Sequence, residues 1–415
     1  MIKSQRGTKD ILSEEIPTWQ WIEEAAKNVF QNAGYTQIRT PIFEATELFK
    51  RGVGDSTDIV NKEMYTFSVG GADKSETSIT LRPENTAGVV RAFIEHNLNR
   101  KSPPQKFWYF GPMFRYERPQ AGRQRQFHQV GVEFFSIKEP TADLEVIVVA
   151  VEFLKALGLN DLVVDINTLG CPKCRNDYKK AIKEVLAPYL DELCDDCKMR
   201  YEKNPLRILD CKNENCRKIF EIEKVKSVLL KDFICDECRE HFETLKQYLD
   251  ELNIKYSVNK MLVRGLDYYN RTVFEIKSNK LGSCDAVCGG GRYDSLVEML
   301  GGAPTPAVGF AMGVERLFAL VEKKPEKKLD FYVVSNNTKE AIKLAQKLRQ
   351  NGKSADFDFQ NRKFAKQLEK ASKIAKYAVI FGEDEINQGF YSVKNLIEGS
   401  QTKVEDFEEL CQLNQ

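Results

Sequence analysis

Hydrophobic and polar positions in the first third of the chain alternate between helical and strand spacing. Apolar side chains recur every three or four positions through residues 17–33, which predicts an amphipathic helix that ends at Gly34. Residues 35–40 alternate apolar and polar positions before Pro41, as expected of a strand. A second helical pattern covers residues 143–157. Similar short runs predict strands at residues 79–81, 107–110, 113–118 and 127–135.

The pattern changes twice further along the chain. Residues 168–255 are rich in Cys, Lys and Glu, and residues 322–328 form a charged, Pro-containing segment typical of a linker. After the linker, strand and helix patterns alternate, which predicts an α/β unit with a largely parallel sheet. The elements expected in these regions are strands at 256–262, 273–277 and 307–313, a helix from Val314, strands at 331–335, 354–359 and 377–382, and helices at 338–350 and 362–374.

The composition is that of an ordinary multidomain protein with a net charge close to zero. The 415 residues are 42% hydrophobic and 30% charged, and the formal net charge is +1. This length predicts two to four domains, and the charge means that a nucleic-acid surface would have to be a local patch. No stretch approaches the apolar length of a membrane span, and the N-terminus lacks an apolar signal core. We therefore expect a cytoplasmic protein without membrane contact.

A strand-loop-strand segment concentrates arginines. Arg115, Arg118, Arg123 and Arg125 surround the turn at residues 119–122, and apolar runs flank them on both sides. Arginine holds phosphate through paired hydrogen bonds and keeps its charge at all physiological pH values. The segment is therefore a candidate phosphate or nucleic-acid clamp, although a solvated hairpin with surface arginines is the alternative.

Four other segments carry candidate chemistry. Glu84 is a lone acid beside a proline, and Arg264 stands close to Tyr268 and Tyr269. A glycine triplet at residues 289–291 would let the backbone approach a ligand closely. Arg316 lies in the first turn of a predicted helix, where a cation opposes the helix dipole and suits binding of an anion. Each segment alone is a weak signal, since Glu84 could cap a helix and the tyrosines could be core residues.

Eight of the eleven cysteines fall between Cys171 and Cys238, which in a reducing compartment indicates metal binding rather than disulfides. Gaps of 19 and 18 residues within successive pairs fit two structural four-cysteine zinc sites, and the pairing stays open. Reduced thiols without metal are the alternative. Cys284, Cys288 and Cys411 have no partner spacing, and Cys288 is a candidate pocket residue. The proposed ligands are Cys171, Cys174, Cys194, Cys197, Cys211, Cys216, Cys235 and Cys238.

Taken in this order, the segments resemble those of the histidyl-tRNA synthetases, a family of class II aminoacyl-tRNA synthetases, over essentially the whole chain. The strand before Pro41 resembles motif 1, a dimer-interface element, the arginine hairpin resembles motif 2, and residues 309–317 resemble motif 3. Residues 264–269 and 288–294 resemble the two histidine-specific motifs, which are the most specific signals.

The resemblance implies an α+β, class II synthetase-like catalytic domain built on an antiparallel sheet, interrupted by a Cys-rich, mainly helical insertion. A C-terminal α/β anticodon-binding domain would follow the linker. The expected boundaries are 1–167 and 256–321 for the discontinuous catalytic domain, 168–255 for the insertion, 322–328 for the linker and 329–415 for the anticodon-binding domain.

The implied activity is attachment of L-histidine to tRNA-His through a histidyl-adenylate, with ATP and Mg²⁺. By match to the family motifs, Arg115 and Arg264 would act at the α-phosphate as catalytic residues. Arg316 would bind the γ-phosphate, and Arg123 would lie near the ATP phosphates. Little covalent chemistry falls to the protein in such a reaction, because positioning and charge stabilisation carry it.

The same matches suggest partners for the substrate histidine. Glu84 would bind its ammonium group and Gln129 its carboxylate, with Arg264 nearby. The imidazole ring would be recognised through its two nitrogens, because a site built to hydrogen-bond a substrate rejects analogues without those groups. His128 alternates with Gln129 along the strand, so we expect His128 on the opposite face in a structural role. The pocket residues expected around the ring are Glu133, Tyr268, Tyr269 and Tyr293.

For tRNA-His, the resemblance places Arg118 and Gln120 at the acceptor end. The C-terminal unit is asymmetric in charge: residues 339–376 hold 11 Lys/Arg against 4 Asp/Glu, and residues 383–409 hold 2 against 8. A basic face suits contact with an RNA backbone, whereas an ordinary solvated surface is the alternative. The insertion occupies a position that in the family usually contacts the acceptor arm.

Two other functions compete with this interpretation. A non-catalytic relative that serves as a regulatory subunit in histidine biosynthesis would be expected to lose the arginines and the anticodon-binding domain. An RNA-binding or zinc-stabilised adaptor would not need Glu84, Gln129 and Glu133 together with phosphate-binding arginines. One departure from the family pattern is Asn85, where relatives often have a small residue, and we expect no effect on Glu84.

Overall fold

The computed structural model describes residues 1–54, 57–69, 77–120, 122–229, 231, 233–278, 286–323, 325–326 and 328–413. Contacts between residues divide the chain into two compact units, residues 1–324 and residues 325–415. Cys284 and two residues of the predicted linker, Lys324 and Lys327, lie outside the described residues. Within the described part of the chain, the structure contains no helix that is both long and apolar enough to cross a membrane.

An eight-stranded, mostly antiparallel sheet forms the centre of the first unit. Its strands are β1 (Thr36–Gln37), β5 (Gln105–Phe114), β6 (Gln126–Phe135), β7 (Leu162–Thr168), β8 (Tyr256–Val258), β9 (Asn270–Ser278), β10 (Ala286–Arg292) and β11 (Ala307–Gly313). Their order across the sheet is β1-β5-β6-β11-β10-β9-β7-β8, and the five central pairings are antiparallel. The two outer pairings, of β1 with β5 and of β7 with β8, are parallel. The predicted antiparallel α+β fold is thereby confirmed.

A second sheet of three short strands, ordered β2-β4-β3, belongs to the same unit. The three strands are β2 (Phe43–Ala45), β3 (Tyr65–Val69) and β4 (Thr77–Leu81). The remaining elements of the unit are helices. The helices are α1 (Ile16–Asn32), α2 (Thr46–Val53), α3 (Thr86–Glu95), α4 (Pro140–Ala156), α5 (Pro172–Leu186), α6 (Asp195–Lys203), α7 (Glu214–Phe220), α8 (Glu223–Leu229), α9 (Asp236–Glu251), α10 (Leu296–Met299) and α11 (Val314–Leu320), with 3₁₀ turns at Leu98–Arg100, Ala187–Glu192 and Pro205–Asp210 and a π-helix at Ile59–Glu63.

Side chains of the central strands alternate between two hydrophobic cores. Val130, Val132 and Phe134 of β6 pack into a core with α1, α4 and α11. Phe135 of the same strand packs into a second core on the opposite face, with α3 and the predicted insertion. Successive residues of a strand point to opposite faces, so one strand supplies both cores.

Helix α9 lies inside the predicted insertion but packs against α4 of the catalytic core. Phe242, Leu245 and Leu249 of α9 belong to the first core. His241 of the same helix lies 3.3 Å from Asp143 of α4, which also forms a buried ion pair with Arg292. Although burial alone would raise it, the neighbouring Arg292 and His241 hold the pKa of Asp143 well below its usual range. The insertion boundary at residue 255 therefore stays a proposal.

The strand and helix predictions differ from the structure at element ends and by whole elements that they omit. Strand β5 runs without interruption to Phe114, so the separate strand expected at 113–118 is wrong beyond that residue. The strand expected at 35–40 is reduced to Thr36–Gln37. Six strands have no counterpart in the predictions: β2, β3, β7 and β10 of this unit, and Tyr391–Asn395 and Gln401–Val404 of the second unit. Strand β10 is difficult to recognise because glycines occupy three of its seven positions.

The second unit has a mixed five-stranded sheet, ordered β13-β12-β14-β15-β16. The first three strands in this order are parallel, as predicted, and the last two are antiparallel additions. The elements are β12 (Leu329–Val334), α12 (Thr338–Gln350), β13 (Ala355–Phe357), α13 (Phe364–Ile374), β14 (Ala375–Ile380), α14 (Glu383–Gln388), β15 (Tyr391–Asn395), β16 (Gln401–Val404) and α15 (Phe407–Gln412).

The basic residues of this unit do not form one continuous face. Helix α12 packs with Phe331 and Val333, whereas α13 packs with Tyr332 and Val334. Alternating residues of β12 point to opposite sides of the sheet, so the two basic helices cover opposite faces. The single basic face expected from the charge count is therefore wrong.

Candidate active site

A cavity of about 380 Å³ opens above the central strands of the first unit. The β5–β6 hairpin, strand β10, the junction of β11 with α11, the π-helix and the Pro205–Asp210 turn all contribute to its wall. Most of the residues predicted to bind histidine, ATP or tRNA line this one cavity, although they come from segments far apart in the sequence. The predicted residues on the wall are Glu84, Arg115, Arg123, Gln129, Arg264, Tyr268, Tyr269, Cys288 and Arg316.

Arg115 and Arg123 approach the cavity from the two sides of the hairpin. The Arg115 Nε donates to the carbonyl of Pro83 at 2.8 Å, and its guanidinium stacks 5.2 Å from the Phe127 ring. Arg123 Nη1 lies 3.3 Å from Glu117, whose carboxylate also lies 3.8 Å from Arg115. Glu117 thus holds two cations of like charge next to each other. The arrangement favours binding of a polyanion, which would meet both guanidinium groups.

Arg264 crosses the glycine-rich strand β10 to reach the cavity. Its guanidinium is paired with Glu275 of β9, and a Cβ atom at Gly289 would overlap it. Although burial lowers the pKa of Arg264, its pairing with Glu275 raises that pKa on balance. The Arg264 Nε has no hydrogen-bond partner among the described residues, so a charged donor is held at the wall of the cavity.

The glycine triplet has a different role from the one expected. Gly289 leaves room for the Arg264 side chain, Gly290 faces the ring of Phe274, and Gly291 faces the ring of Tyr269. Gly289 is the member of the triplet that lines the cavity. The triplet mainly makes room for neighbouring side chains. Within the triplet, only Gly289 offers its backbone to a ligand in the cavity.

Arg316 and Glu315 lie in the first turn of α11, as the sequence predicts. The Arg316 Nη1 donates to the carbonyl of Ala286 at 2.7 Å, and both residues line the cavity. The Glu315 carboxylate accepts from the backbone N–H of His128 at 2.9 Å and lies 3.0 Å from its Nδ1. His128 also contacts Trp19 of the first core edge-on, with ring centroids 4.9 Å apart. His128 therefore lies on the face of β6 opposite to Gln129.

Glu84 combines the capping role with a place on the cavity wall. Its carboxylate accepts the backbone N–H groups of Thr86 at 2.7 Å and Ala87 at 3.0 Å, at the start of α3. Burial raises the pKa of Glu84, and these hydrogen bonds oppose that increase. A carboxylate has further acceptor positions, so the capped group can still bind a cation. Asn85 points elsewhere, accepting from Thr40 at 2.7 Å and Arg82 at 3.2 Å, and leaves Glu84 unobstructed.

Gln129 and Glu133 project from the same face of β6 but to different depths. Gln129 lines the cavity, and its buried Oε1 has no hydrogen-bond partner among the described residues. Glu133 lies behind the wall, where the hydroxyls of Tyr293 and Thr86 donate to its carboxylate. The structure therefore does not place Glu133 and Tyr293 on the surface of the cavity. Thr86 lines the cavity and connects Glu133 to it through a hydrogen bond. Burial raises the pKa of Glu133 to about 8.

We expect Glu133 to make stability depend on pH. The folded protein holds this proton up to about pH 8, against an ordinary pKa of 4.5. The stabilisation is therefore fully present below the ordinary pKa and is lost as pH rises through about 8. A tenfold change in proton affinity corresponds to about 1.4 kcal/mol, so the whole effect amounts to a few kcal/mol. Urea unfolding of Glu133→Gln should show a weaker loss of stability between pH 5 and pH 8 than the parent chain. Identical slopes would contradict the raised pKa.

Two tyrosines form the apolar side of the cavity. The rings of Tyr268 and Tyr269 are 4.6 Å apart, and Tyr268 lies 5.5 Å from Tyr293 edge-on. All three side chains are buried. Arg118 and Gln120, by contrast, are exposed on the hairpin loop outside the cavity, where they are accessible to a macromolecule.

Eight cysteines form two clusters, and the structure shows which pairs belong together, which the sequence spacing left open. In each cluster, all four sulfur atoms lie within 4.8 Å of one another. Zn–S bonds of about 2.3 Å in tetrahedral geometry give sulfur separations of about 3.8 Å, and the Cys194–Cys211 sulfurs are 3.8 Å apart. Backbone N–H groups of Cys171 and Cys235 donate to cluster sulfurs at 3.2 and 3.1 Å. The clusters are Cys171, Cys174, Cys235 and Cys238, and Cys194, Cys197, Cys211 and Cys216.

The second cluster is nested within the sequence of the first. All ten described cysteines are free thiols, so no disulfide competes with metal binding among them. Four thiols offer a closed ligand set, as in structural zinc sites. Cys288 is buried on the cavity wall, and Cys411 lies in α15 of the second unit.

The sequence did not reveal several residues of the cavity. Thr86 connects Glu84 to Glu133, and Glu275 holds Arg264. Arg207 reaches the wall from the Cys-rich insertion. A threonine and a strand glutamate carry no motif, and nothing in the cysteine spacing distinguishes Arg207. Taken together, the cavity offers convergent guanidinium groups, buried carboxylates and aromatic rings, which suits a ligand with both phosphate and ammonium groups.

The chain is similar to known proteins over nearly its full length. Residues 7–317 match the family model described as "Histidyl-tRNA synthetase", and residues 322–412 match that described as "Anticodon binding domain". A relative named "Histidine--tRNA ligase" from Halothermothrix orenii is 49% identical, covering 97% of this chain and 96% of the relative.

Solved structures agree with this result. The apo histidyl-tRNA synthetase of S. aureus superimposes with a TM-score of 0.80 and 36% identity, covering 99% of each chain. A Bacillus halodurans structure described as an ATP phosphoribosyltransferase regulatory subunit/histidyl-tRNA synthetase has a TM-score of 0.64 and 22% identity, covering 92% of this chain and 98% of the other. This second likeness shows the fold alone.

Proposed function

Because this chain belongs to the histidyl-tRNA synthetase family, we infer that it is a histidine–tRNA ligase. It activates L-histidine with ATP and transfers the histidyl group to tRNA-His. The observation that carries this function beyond family membership is the convergence of Arg115, Arg264, Arg316 and Glu84 on one cavity. An adenylating site needs cations for the phosphates and an anion for the amino acid ammonium group, and this cavity supplies both.

In the first step, a carboxylate oxygen of histidine attacks the α-phosphorus of ATP, and the bond to the β-bridging oxygen breaks to release pyrophosphate. Arg115 and Arg264 stabilise the negative charge that grows on the α-phosphate oxygens. Arg316, which the Ala286 carbonyl orients, binds the γ-phosphate, and Arg123 binds near it. Preorganised charges of this kind lower the barrier because they need not reorient during the reaction.

The family uses ATP together with Mg²⁺. Mg²⁺ prefers oxygen ligands and commonly stays bound to substrate phosphates. Carboxylates of Glu117 and Glu315 line the same cavity and could accept the ion with the triphosphate. Both residues also orient neighbouring groups, Arg123 and His128, so their negative charge is already part of the site.

The substrate histidine is bound in the part of the cavity near Glu84. The Glu84 carboxylate, fixed by α3, binds the ammonium group, and Gln129 binds the carboxylate of histidine before it reacts. Arg264 lines the same cavity and is assigned to both the histidine carboxylate and the α-phosphate. Tyr268 and Tyr269 enclose the imidazole ring. Glu133 and Tyr293, connected through Thr86, would recognise the ring nitrogens once the hydrogen bond between them opens.

The histidyl group then passes to the terminal adenosine of tRNA-His. Arg118 and Gln120, exposed on the hairpin loop, contact the acceptor end in this proposal. The second unit carries the match to the anticodon-binding family and binds the anticodon region. Its basic helices α12 and α13 lie on opposite faces, so one of the two would carry the main electrostatic contact.

We also propose two structural zinc ions, a dimer and a cytoplasmic site of action. The thiol clusters support zinc, which would bind without an open position for catalysis. The motif 1 strand β1 lies at the edge of the large sheet, where a second copy could contact it. Exposed Phe43 and Phe67 of the small sheet, and Ile42 just before β2, are apolar candidates for the same interface.

The regulatory-subunit alternative shares the fold and could bind histidine, but it does not need phosphate-binding arginines in the cavity. The overall likeness to such a protein therefore does not distinguish the two functions. Arg115, Arg264 and Arg316 are all present and all line the cavity, which favours catalysis. A purely RNA-binding adaptor would likewise have no use for the buried Glu84 and Gln129.

Pyrophosphate exchange into ATP, run separately with each of the twenty amino acids, tests the function directly. We expect exchange with histidine and none above background with the others. Absence of exchange in protein that still binds histidine would favour the regulatory alternative. Exchange with several amino acids would contradict the assignment of the pocket residues.

A further inference from the structure

Arg207 links the Cys-rich insertion to the catalytic cavity. It lies in the Pro205–Asp210 turn, immediately before the cluster cysteine Cys211. Its side chain nevertheless lines the active-site cavity and approaches Gly265, the residue that follows Arg264 in the sequence. The Arg207 Nη2 atom would lie 3.9 Å from a Cβ atom added at Gly265. The insertion therefore supplies part of the wall of the catalytic site.

The Arg207 guanidinium is buried but has unused hydrogen-bond donors. Its relative exposure is 6%, and its Nε and Nη1 have no hydrogen-bond partner among the described residues. Its ion pair with Asp58 is long, at 3.7 Å through Nη2. Leaving charged donors unpaired in a buried place is costly, because the group loses water and gains nothing in return. A ligand with anionic oxygens in the cavity would compensate for this loss.

A purely structural role accounts poorly for this placement. Asp58 already forms a closer ion pair with Arg200 of the insertion, at 3.2 Å. The Arg200 Nη1 also donates to the Arg207 carbonyl at 3.4 Å, which fixes the backbone of the turn without the Arg207 side chain. The ion pair between Arg200 and Asp58 therefore connects the insertion to the residue before the π-helix without the Arg207 guanidinium.

We propose that Arg207 is a phosphate-binding residue of the active site, contributed by the insertion. The planar guanidinium fork matches phosphate oxygens, and the same cavity is lined by Arg264, the residue assigned to the α-phosphate. The proposal rests on the synthetase function above. Two substrates bring phosphate into the cavity: ATP, and the 3′ end of the tRNA. Arg207 binds a phosphate oxygen of one of them.

Kinetics of Arg207→Met and Arg207→Lys separate these sources. Binding to ATP phosphate would lower histidine-dependent pyrophosphate exchange, which needs no tRNA, by about tenfold to a hundredfold. Binding to tRNA phosphate would leave exchange unchanged and slow single-turnover transfer from preformed adenylate to tRNA-His by a similar factor. In either case Arg207→Lys should recover part of the loss, and the KM for histidine should stay near that of the parent. Exchange and transfer both at parental rates would overturn the proposal.

Two controls distinguish ligand binding from folding. Lys224→Met removes a cation from exposed α8 of the same insertion and should leave both reactions unchanged. Melting temperature and bound zinc should match between Arg207→Met and the parent. A loss of activity that follows a loss of stability, without recovery by lysine, would show a structural role and contradict the proposal. Calorimetric titration of ATP into parent and variant tests phosphate binding even if the synthetase function fails.

Discussion

Replacing Arg264 with alanine should abolish histidyl-adenylate formation while most of the fold persists. Arg264 holds its charge beside the proposed α-phosphate position, and its Nε is unused by the described residues. Losing a preorganised donor to a developing charge costs about a hundredfold to a thousandfold in rate. We expect pyrophosphate exchange to fall by at least this factor. ATP should still bind, because Arg115, Arg123 and Arg316 remain.

The control for this variant is Arg271→Ala. Arg271 lies on strand β9, the strand that also carries Glu275. It is paired with Glu237 outside the cavity. It should keep exchange within a few-fold of the parent. Loss of Arg264 also frees Glu275, so circular dichroism and thermal unfolding should accompany the kinetics. Full activity of a folded Arg264→Ala protein would remove Arg264 from the reaction.

The second large effect concerns metal. We expect about two zinc ions per chain by elemental analysis, and loss of both should unfold much of the insertion. Zinc in a closed thiolate site contributes directly to folding, with apparent binding energies of about 10–16 kcal/mol in small zinc-binding peptides. Chelation should therefore lower the melting temperature of the whole chain and expose the buried thiols. If protein prepared under zinc-replete conditions contained no zinc, the proposal would be wrong.

Double substitutions test the nested pairing. Cys197→Ser with Cys211→Ser removes two ligands from one cluster and none from the other. After dialysis against a chelator, this variant should retain one ion per chain. Cys174→Ser with Cys197→Ser damages both clusters and should retain none. Pairing in sequence order would reverse the two results, and Cys411→Ser should keep both ions.

The arginines proposed to act in catalysis and the helix that carries Arg316 could be predicted from the sequence. Arg316 lies in a segment whose apolar spacing predicts its helix, whereas Arg115 lies just beyond the end of β5, and the structure places both on the cavity. The sequence suggests Glu84 as a helix cap, and the structure gives it that geometry, whereas its binding of an ammonium group stays a prediction. Local patterns work here because capping and strand alternation depend on neighbouring residues.

The depth of each side chain was decided by the tertiary structure. Gln129 and Glu133 share one face of β6, and alternation alone assigns them the same surroundings. Only the packing of Tyr293 and Thr86 places Glu133 behind the wall. The same holds for the basic helices α12 and α13, whose charges add up in sequence but lie on opposite faces of a sheet.

The sequence by itself determined which reactive groups this protein carries: a cluster of arginines of the kind that suits phosphate binding, and eight thiols spaced for two four-ligand sites. Those follow from residue type and short-range spacing. The tertiary structure decided which thiols cluster together, which glycine makes room for Arg264, and that Arg207 of the insertion reaches the cavity. Contacts between residues far apart in the chain depend on how the sheet orders its strands and on side-chain volume, and neither is encoded in local periodicity.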